Sequence, residues 1–131
     1  MAGWSNKGKM KALDGWLRNT APPVNFYIAL VTSLVAPTQD INTLGELTQI
    51  AVGNGYTTGG YLLTPGATDF DVLTEDDTND RGLIQVKDVV WTAAGGPIPA
   101  SGSGARYAVL TDDNVTIASR EIYAYWDLVS D

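Results

Sequence analysis

The sequence predicts a mainly β domain: an antiparallel β-sandwich, jelly-roll-like fold or barrel with a short helix at its N-terminus. Several short stretches rich in β-branched and aromatic residues are separated by turn residues, which is typical of antiparallel folds. No strand–helix unit repeats along the chain, so a parallel sheet is not expected. The length of 131 residues fits one domain with a single hydrophobic core.

The first element is a helix over about residues 6–19. Apolar side chains recur there at spacings of three and four, which places them on one stripe of a helix: Met10, Leu13, Trp16 and Leu17. Ser5 or Asn6 can cap its start, and Pro22-Pro23 lies beyond its end. A helix of this length is marginal alone, so it must pack against something.

The clearest strand covers residues 24–33, which are nearly all apolar and rich in β-branched and aromatic side chains. Residues 36–55 predict a long loop with about one helical turn near 43–50. Alternating polar and apolar residues then predict two short edge strands, at 61–64 and 69–73.

An acidic loop at residues 75–80 leads into a further predicted strand at 83–91. A loop of glycine, proline and serine at 93–104 separates that strand from the next one, at 106–110. A turn at 112–114 precedes the last strand.

The last strand covers residues 121–128 and alternates with a period of two. This period predicts one face made of Ile122, Ala124, Trp126 and Leu128. Tyr123 and Tyr125 are expected on the opposite face.

The chain contains no cysteine and no histidine. Disulfides, thiolate nucleophiles, Ser–His–Asp sites and the usual nitrogen or sulfur zinc sites are therefore excluded. Only carboxylate, lysine or tyrosine chemistry remains. We expect a protein that is not an enzyme and that needs no cofactor.

The charge is distributed unevenly along the chain. Residues 1–20 have a net charge of +3, which leaves −10 for residues 21–131 of a chain whose total is −7. We predict a basic helical arm at 1–20 and a single β-rich domain at 21–131. An acidic surface repels the phosphate backbone, so no nucleic-acid partner is expected.

No apolar run approaches the roughly 20 residues that span a bilayer, so we expect no membrane partner. Residues 1–19 are basic and lack the apolar stretch and small-residue cleavage site of a secretory signal. The protein is expected to be made and assembled in the cytoplasm.

Carboxylates offer two candidate sites. If Asp76 is the first ligand of an EF-hand loop, Asp80 is the fifth, but Arg81 takes the glycine position and Lys87 that of the bidentate glutamate. We therefore predict a solvated acidic turn and no metal site, with Asp76 and Asp80 as the weak candidates. Glycosidase-type carboxylate pairs are the other candidate, although surface groups are the simpler interpretation: Asp69 with Asp71, or Asp88 with Asp127.

The four tryptophans divide into two pairs. Trp91 and Trp126 lie in predicted strands and are expected in the core. Trp4 and Trp16 lie in the basic arm, where they pack over the chain's own domain or dock onto a partner.

Five segments form a recognisable combination. They are the helix with its proline break and four later segments: NFYIALVTS at 25–33, TLGEL at 43–47, GNGY at 53–56 and RYAVLTDD at 106–113. Together they resemble a group of small tailed-phage structural proteins described as tail-fibre-like or virion proteins. The resemblance covers most of the chain but includes no catalytic motif.

The resemblance implies a virion structural protein, and we expect a capsid decoration or cement protein that binds and stabilises the head shell. Its expected partners are the major capsid protein and other copies of itself, in a homo-oligomer on the particle. The basic arm is the predicted partner-binding site: Trp4, Lys7, Lys9, Met10, Lys11, Leu13, Trp16, Leu17 and Arg18.

Two alternatives remain open. One is a tail or tail-fibre component, present in fewer copies per particle than a decoration protein. The other is a small carbohydrate-binding module that presents Tyr56 and Tyr61 to sugar rings.

Overall fold

A computed structural model describes residues 2–128 and confirms a mainly β fold with antiparallel sheets and a short N-terminal helix. The helix α1 covers Asn6–Leu17, close to its predicted bounds. Two short 3-10 helices lie at Leu44–Glu46, inside the predicted long loop, and at Ile117–Ser119. The strands are β1 Ala2–Trp4, β2 Phe26–Val31, β3 Tyr61–Leu63, β4 Val72–Asp76, β5 Arg81–Gln85, β6 Tyr107–Thr111 and β7 Ile122–Asp127.

Five strands form the main sheet in the order β1-β7-β6-β2-β3, and every neighbouring pair is antiparallel. The sheet has two edges, β1 and β3, so it is open and not a closed barrel. Within residues 2–128, strands β4 and β5 pair only with each other, as a separate and largely exposed hairpin. Strand β1 lies in the predicted arm, so the start of this arm is part of the main sheet.

Apolar side chains pack on both faces of the main sheet. This explains why the sequence of β2 is almost entirely apolar. On one face the buried cluster includes Ile28, Leu30, Ile50, Tyr56, Leu63, Leu110 and Ala124. On the other face the loop after β2 folds over the sheet and supplies Ile41, Leu44 and Leu47, against Ala29, Val31, Val109 and Ile122.

The predicted alternation of the last strand is wrong at its start. Leu110 is paired with Ala124, but the next residue of β6, Thr111, is paired with Ile122. Tyr123 is therefore the extra residue of a β-bulge, which shifts the alternation by one position. As a result Ile122 packs with Tyr125 on one face, while Ala124 packs on the other.

The predicted strand at 83–91 ends early, because β5 stops at Gln85. Residues 86–91 leave the hairpin and cross the main sheet, where Val86, Val89 and Trp91 pack against the core. The apolar run is thus needed for packing and not for sheet pairing. Trp91 reaches the core as predicted, although it does not lie in a strand. The predicted strand at 69–73 is likewise displaced, to Val72–Asp76.

Asp69 fixes the point where the chain leaves the hairpin. Its carboxylate accepts hydrogen bonds from the Lys87 ammonium at 2.7 Å and from the Thr64 amide at 2.7 Å. These bonds, the lysine first, hold the pKa of Asp69 below its ordinary value. A carboxyl group with a lowered pKa in the folded state stabilises the fold above its unfolded pKa, and this contribution is lost as pH falls through the folded pKa.

Replacing Asp69 by asparagine is therefore expected to lower the urea midpoint of unfolding at neutral pH. We expect the difference from the wild type to shrink as pH falls below 3.8, the ordinary pKa of this group, and on through its lowered folded value. Asp71→Asn, at an exposed position, is the control and should leave the midpoint unchanged. A midpoint difference for Asp69→Asn that stays constant down to the lowest pH would contradict this assignment.

Candidate functional site

The start of α1 is anchored on strand β7. Ser5 is fully buried and caps the helix, because its hydroxyl oxygen accepts a bond from the Gly8 amide at 2.8 Å. The same hydroxyl donates to the Ile122 carbonyl at 2.6 Å, and the Ser5 amide donates to the Tyr123 carbonyl at 2.9 Å. One residue thus fixes the helix to the bulged end of β7.

At Gly8 the helix α1 lies directly against the backbone of β7. Gly8 is buried, and a Cβ at this position would overlap the carbonyl oxygen of Tyr123 and lie 2.8 Å from its carbonyl carbon. Gly15, seven residues along the helix, is also on the inner side. The close approach of helix and strand therefore depends on the absence of a side chain at Gly8.

The apolar side of α1 faces away from the protein. We call the residues of this side the outer stripe, and their side chains are exposed as follows: Met10 47%, Leu13 54%, Leu17 67% and Trp16 83%. A surface helix normally turns such a stripe towards its own core. Contiguous exposed apolar residues usually mark an interaction surface, whereas single exposed apolar residues are common on any protein.

Basic side chains flank the outer stripe. Lys9 and Arg18 are exposed, and Lys7 is half-buried. Arg18 lies 3.7 Å from Asp14 of the same helix. Lys11 instead points to the body of the protein, where its ammonium lies 3.5 Å from Glu121.

A groove of about 720 Å³ lies on the inner side of α1. Its apolar surface includes Phe26, Phe70, Leu110 and Tyr123, and the exposed hairpin contributes Leu73 and Ile84. Trp4 and Lys11, two residues of the predicted partner-binding arm, line this groove and do not belong to the outer stripe. The structure thus divides the predicted site residues between two surfaces.

Carboxylates line one part of the groove: Asp112, Asp113 and Glu121. Burial raises the pKa of Asp112 above its ordinary value. The negative charges of Glu121 and Asp113 raise this pKa further, by a smaller amount. The Asp112 carboxylate accepts a hydrogen bond from the Glu121 amide at 3.1 Å, which acts in the opposite direction. This part of the groove therefore attracts positive charge.

The remaining candidates from the sequence lie elsewhere. Asp76 accepts bonds from Asn79 at 2.8 Å and Arg81 at 2.9 Å, and Asp80 lies in the hairpin turn with φ of 52°. The Asp127 carboxylate forms a bidentate ion pair with the Arg106 guanidinium, and both hydrogen bonds are 2.8 Å long. Within residues 2–128, no three acidic side chains converge on a common point that could hold a metal ion.

The two tyrosines of the carbohydrate-binding alternative have different environments. Tyr56 is 1% exposed, and burial raises the pKa of its hydroxyl. Tyr61 is half-buried, with the Lys87 ammonium 5.4 Å from the centre of its ring. The ring of Tyr56 is therefore not available for stacking on a sugar.

Sequence reasoning missed the part that Gly8 plays in α1. Gly8, Ala12 and Gly15 are spaced by four and three, so they share a side of the helix opposite the outer stripe. Of the three, Gly8 is buried against β7, Gly15 is half-buried and Ala12 is exposed, so the spacing indicates the inner side of the helix.

Comparison with known proteins gives no match: no family model, no curated protein and no solved structure is significantly similar to the chain. Between residues 2 and 128, none of the helices has both the length and the apolar character required to cross a bilayer. We therefore infer function from the surface of α1 and from the groove beside it.

Proposed function

We propose that the chain is a non-catalytic structural protein of a tailed-phage virion, which decorates and stabilises the head shell, and that α1 is its docking element. The observation that supports docking is the outer stripe, which is exposed on a helix whose other side is fixed to the sheet. A rigid, outward-facing apolar stripe needs little ordering when it binds, so more of its burial contributes to affinity.

Charge supports the same proposal. Residues 21–131 are strongly acidic, which gives the β-rich domain a negative surface. Lys9 and Arg18 beside the outer stripe give α1 the opposite sign, so it complements an acidic neighbour. Assembly in the host cytoplasm, with the capsid protein and other copies as partners, follows from this proposal.

The assignment to a virion rests on the resemblance of segments such as NFYIALVTS at 25–33 to small virion proteins. The placement on the head is supported by the basic helix on an acidic domain, which suits attachment to a neighbouring subunit. A tail or tail-fibre component with the same docking helix is the second candidate. The two differ in copy number and position on the particle. The buried Tyr56 weighs against the carbohydrate-binding alternative.

The test is to add the purified protein to phage particles that lack it and to image the mixture by cryo-electron microscopy. We expect regular density over the shell. The double variant Leu13→Gln/Leu17→Gln should bind at least about tenfold more weakly, because it removes two apolar anchors from the stripe. Its urea midpoint should match the wild type, since both leucines are already exposed.

Leu34→Gln is the matched control, because Leu34 is 76% exposed but lies outside both α1 and the groove. It should bind like the wild type. Unchanged binding by the double variant would rule out docking through α1. Density on the tail would favour the second candidate, and no density on any part of the particle would overturn the virion proposal.

A further inference from the structure

We propose that the groove on the inner side of α1 binds the outer stripe of a second copy of this chain. This inference rests on the proposed function, since it names the partner of the same docking helix. It predicts that copies join head to tail, with α1 of one copy seated between α1 and the β4–β5 hairpin of the next.

The two surfaces complement each other in chemistry. The groove is largely apolar, with Phe26 and Phe70 inside it and Leu73 of the hairpin at its wall. The outer stripe offers leucine, methionine and tryptophan side chains to fill such a space. Leu73 is 79% exposed in the single chain, so the hairpin wall of the groove lacks a covering partner of its own.

Their charges are also opposite. Asp112 and Asp113 line the groove, and the burial of Asp112 strengthens its interaction with a nearby cation. Lys9 and Arg18 beside the outer stripe are exposed and supply that cation. The acidic surface elsewhere opposes other orientations of two copies, so the pairing of these two surfaces is selected.

Geometry makes the contact intermolecular. With about 3.6 residues per helical turn, Gly8 and Lys11 lie across α1 from Leu13 and Leu17. The groove is on the first side and the outer stripe on the second, so a chain cannot insert its own stripe into its own groove. Such a contact uses two different surfaces and leaves one of each free, so it forms rings or open chains.

The expected affinity is modest. A helix of 12 residues is about 18 Å long, and a contact of this length lies at the small end of stable interfaces. We expect a dissociation constant of about 10–100 µM in solution. On a shell, many bound copies raise the local concentration, and this weak contact becomes effective.

The experiment is sedimentation equilibrium of the full chain without particles, at concentrations up to about 1 mM. The wild type should associate as concentration rises. The helix variant Leu13→Gln/Leu17→Gln should stay monomeric. The groove variant Ala67→Arg should also stay monomeric, because it places a bulky cation at an exposed position that lines the groove.

Mixing the two variants distinguishes this contact from any symmetric one. The helix variant retains an intact groove and the groove variant retains an intact stripe, so the mixture should form a one-to-one dimer and nothing larger. Leu73→Thr/Ile84→Thr, which changes a cross-strand pair on the hairpin, provides a second groove variant with the same expected behaviour. Leu34→Gln should associate like the wild type.

A wild type that stays monomeric at about 1 mM would overturn the inference, and so would a mixture that fails to form the dimer. If the monomeric wild type still decorates shells and Ala67→Arg prevents this, the groove binds a capsid segment instead. The proposed function would then stand without this inference. Self-association without shell binding would support the inference and contradict the proposed function.

Discussion

Replacing Gly8 by alanine is expected to lower the free energy of unfolding by about 3 kcal/mol. The added methyl group would overlap the backbone of Tyr123, which lies between the paired residues Ile122 and Ala124 and cannot move away as a flexible side chain could. The helix must therefore shift outward and strain the bonds that Ser5 makes with β7. Urea unfolding followed by tryptophan fluorescence measures the loss.

Gly15→Ala in the same helix is the matched control, with the opposite expected sign. A Cβ at this position would have its nearest neighbour, the carbonyl oxygen of Thr20, at 3.5 Å, which is an ordinary contact. Alanine should therefore raise stability by up to about 1 kcal/mol through its higher helix propensity. Equal effects of the two substitutions would mean that α1 is not seated on Tyr123 as described.

Replacing Tyr56 by phenylalanine is expected to cost about 1–3 kcal/mol, although it removes a single oxygen atom. The Tyr56 hydroxyl accepts a hydrogen bond from the Leu30 amide at 3.0 Å and lies 3.2 Å from the side-chain oxygen of Gln49. Strand β3 pairs with β2 only as far as Ile28. Beyond that point the Tyr56 hydroxyl, and not a strand, accepts the hydrogen bond of the Leu30 amide. Phenylalanine leaves a buried amide without a partner.

Tyr27→Phe is the control for this substitution. The ring of Tyr27, and not its hydroxyl, makes the described contact, with the Arg120 guanidinium 4.0 Å from the ring centre. We expect Tyr27→Phe to change the free energy of unfolding by less than about 0.5 kcal/mol. A loss for Tyr56→Phe no larger than this would show that water reaches the Leu30 amide.

Local pattern was sufficient for much of the fold. The β2 run, the helix at α1 and the strand at β6 follow from apolar periodicity and β propensity, and the structure places all three close to their predicted positions. Periodicity also identified the residues of the outer stripe correctly. It could not show that the stripe faces outward, because the same spacing fits a stripe packed on the core.

The rest depends on contacts that are distant in sequence. The bulge at Tyr123 depends on the register in which Thr111 pairs with Ile122. The sequence of either strand alone does not predict a one-residue shift of this register. Val86, Val89 and Trp91 look like a strand because packing across a sheet requires the same residue types as pairing within one. The groove joins α1, the hairpin and the segment around Asp112, which no local pattern links.

The anchoring of α1 on β7 also sets an order of events during synthesis. The hydroxyl of Ser5 binds the carbonyl of Ile122, and these residues are separated by 117 positions in the chain. Because a ribosome makes the chain from its N-terminus, the helix leaves the exit tunnel long before its seat exists. A 12-residue helix is marginal by itself, so the outer stripe stays unformed on the nascent chain. The outer stripe is thus completed only when the last strand is in place, so this apolar surface does not form on unfinished chains.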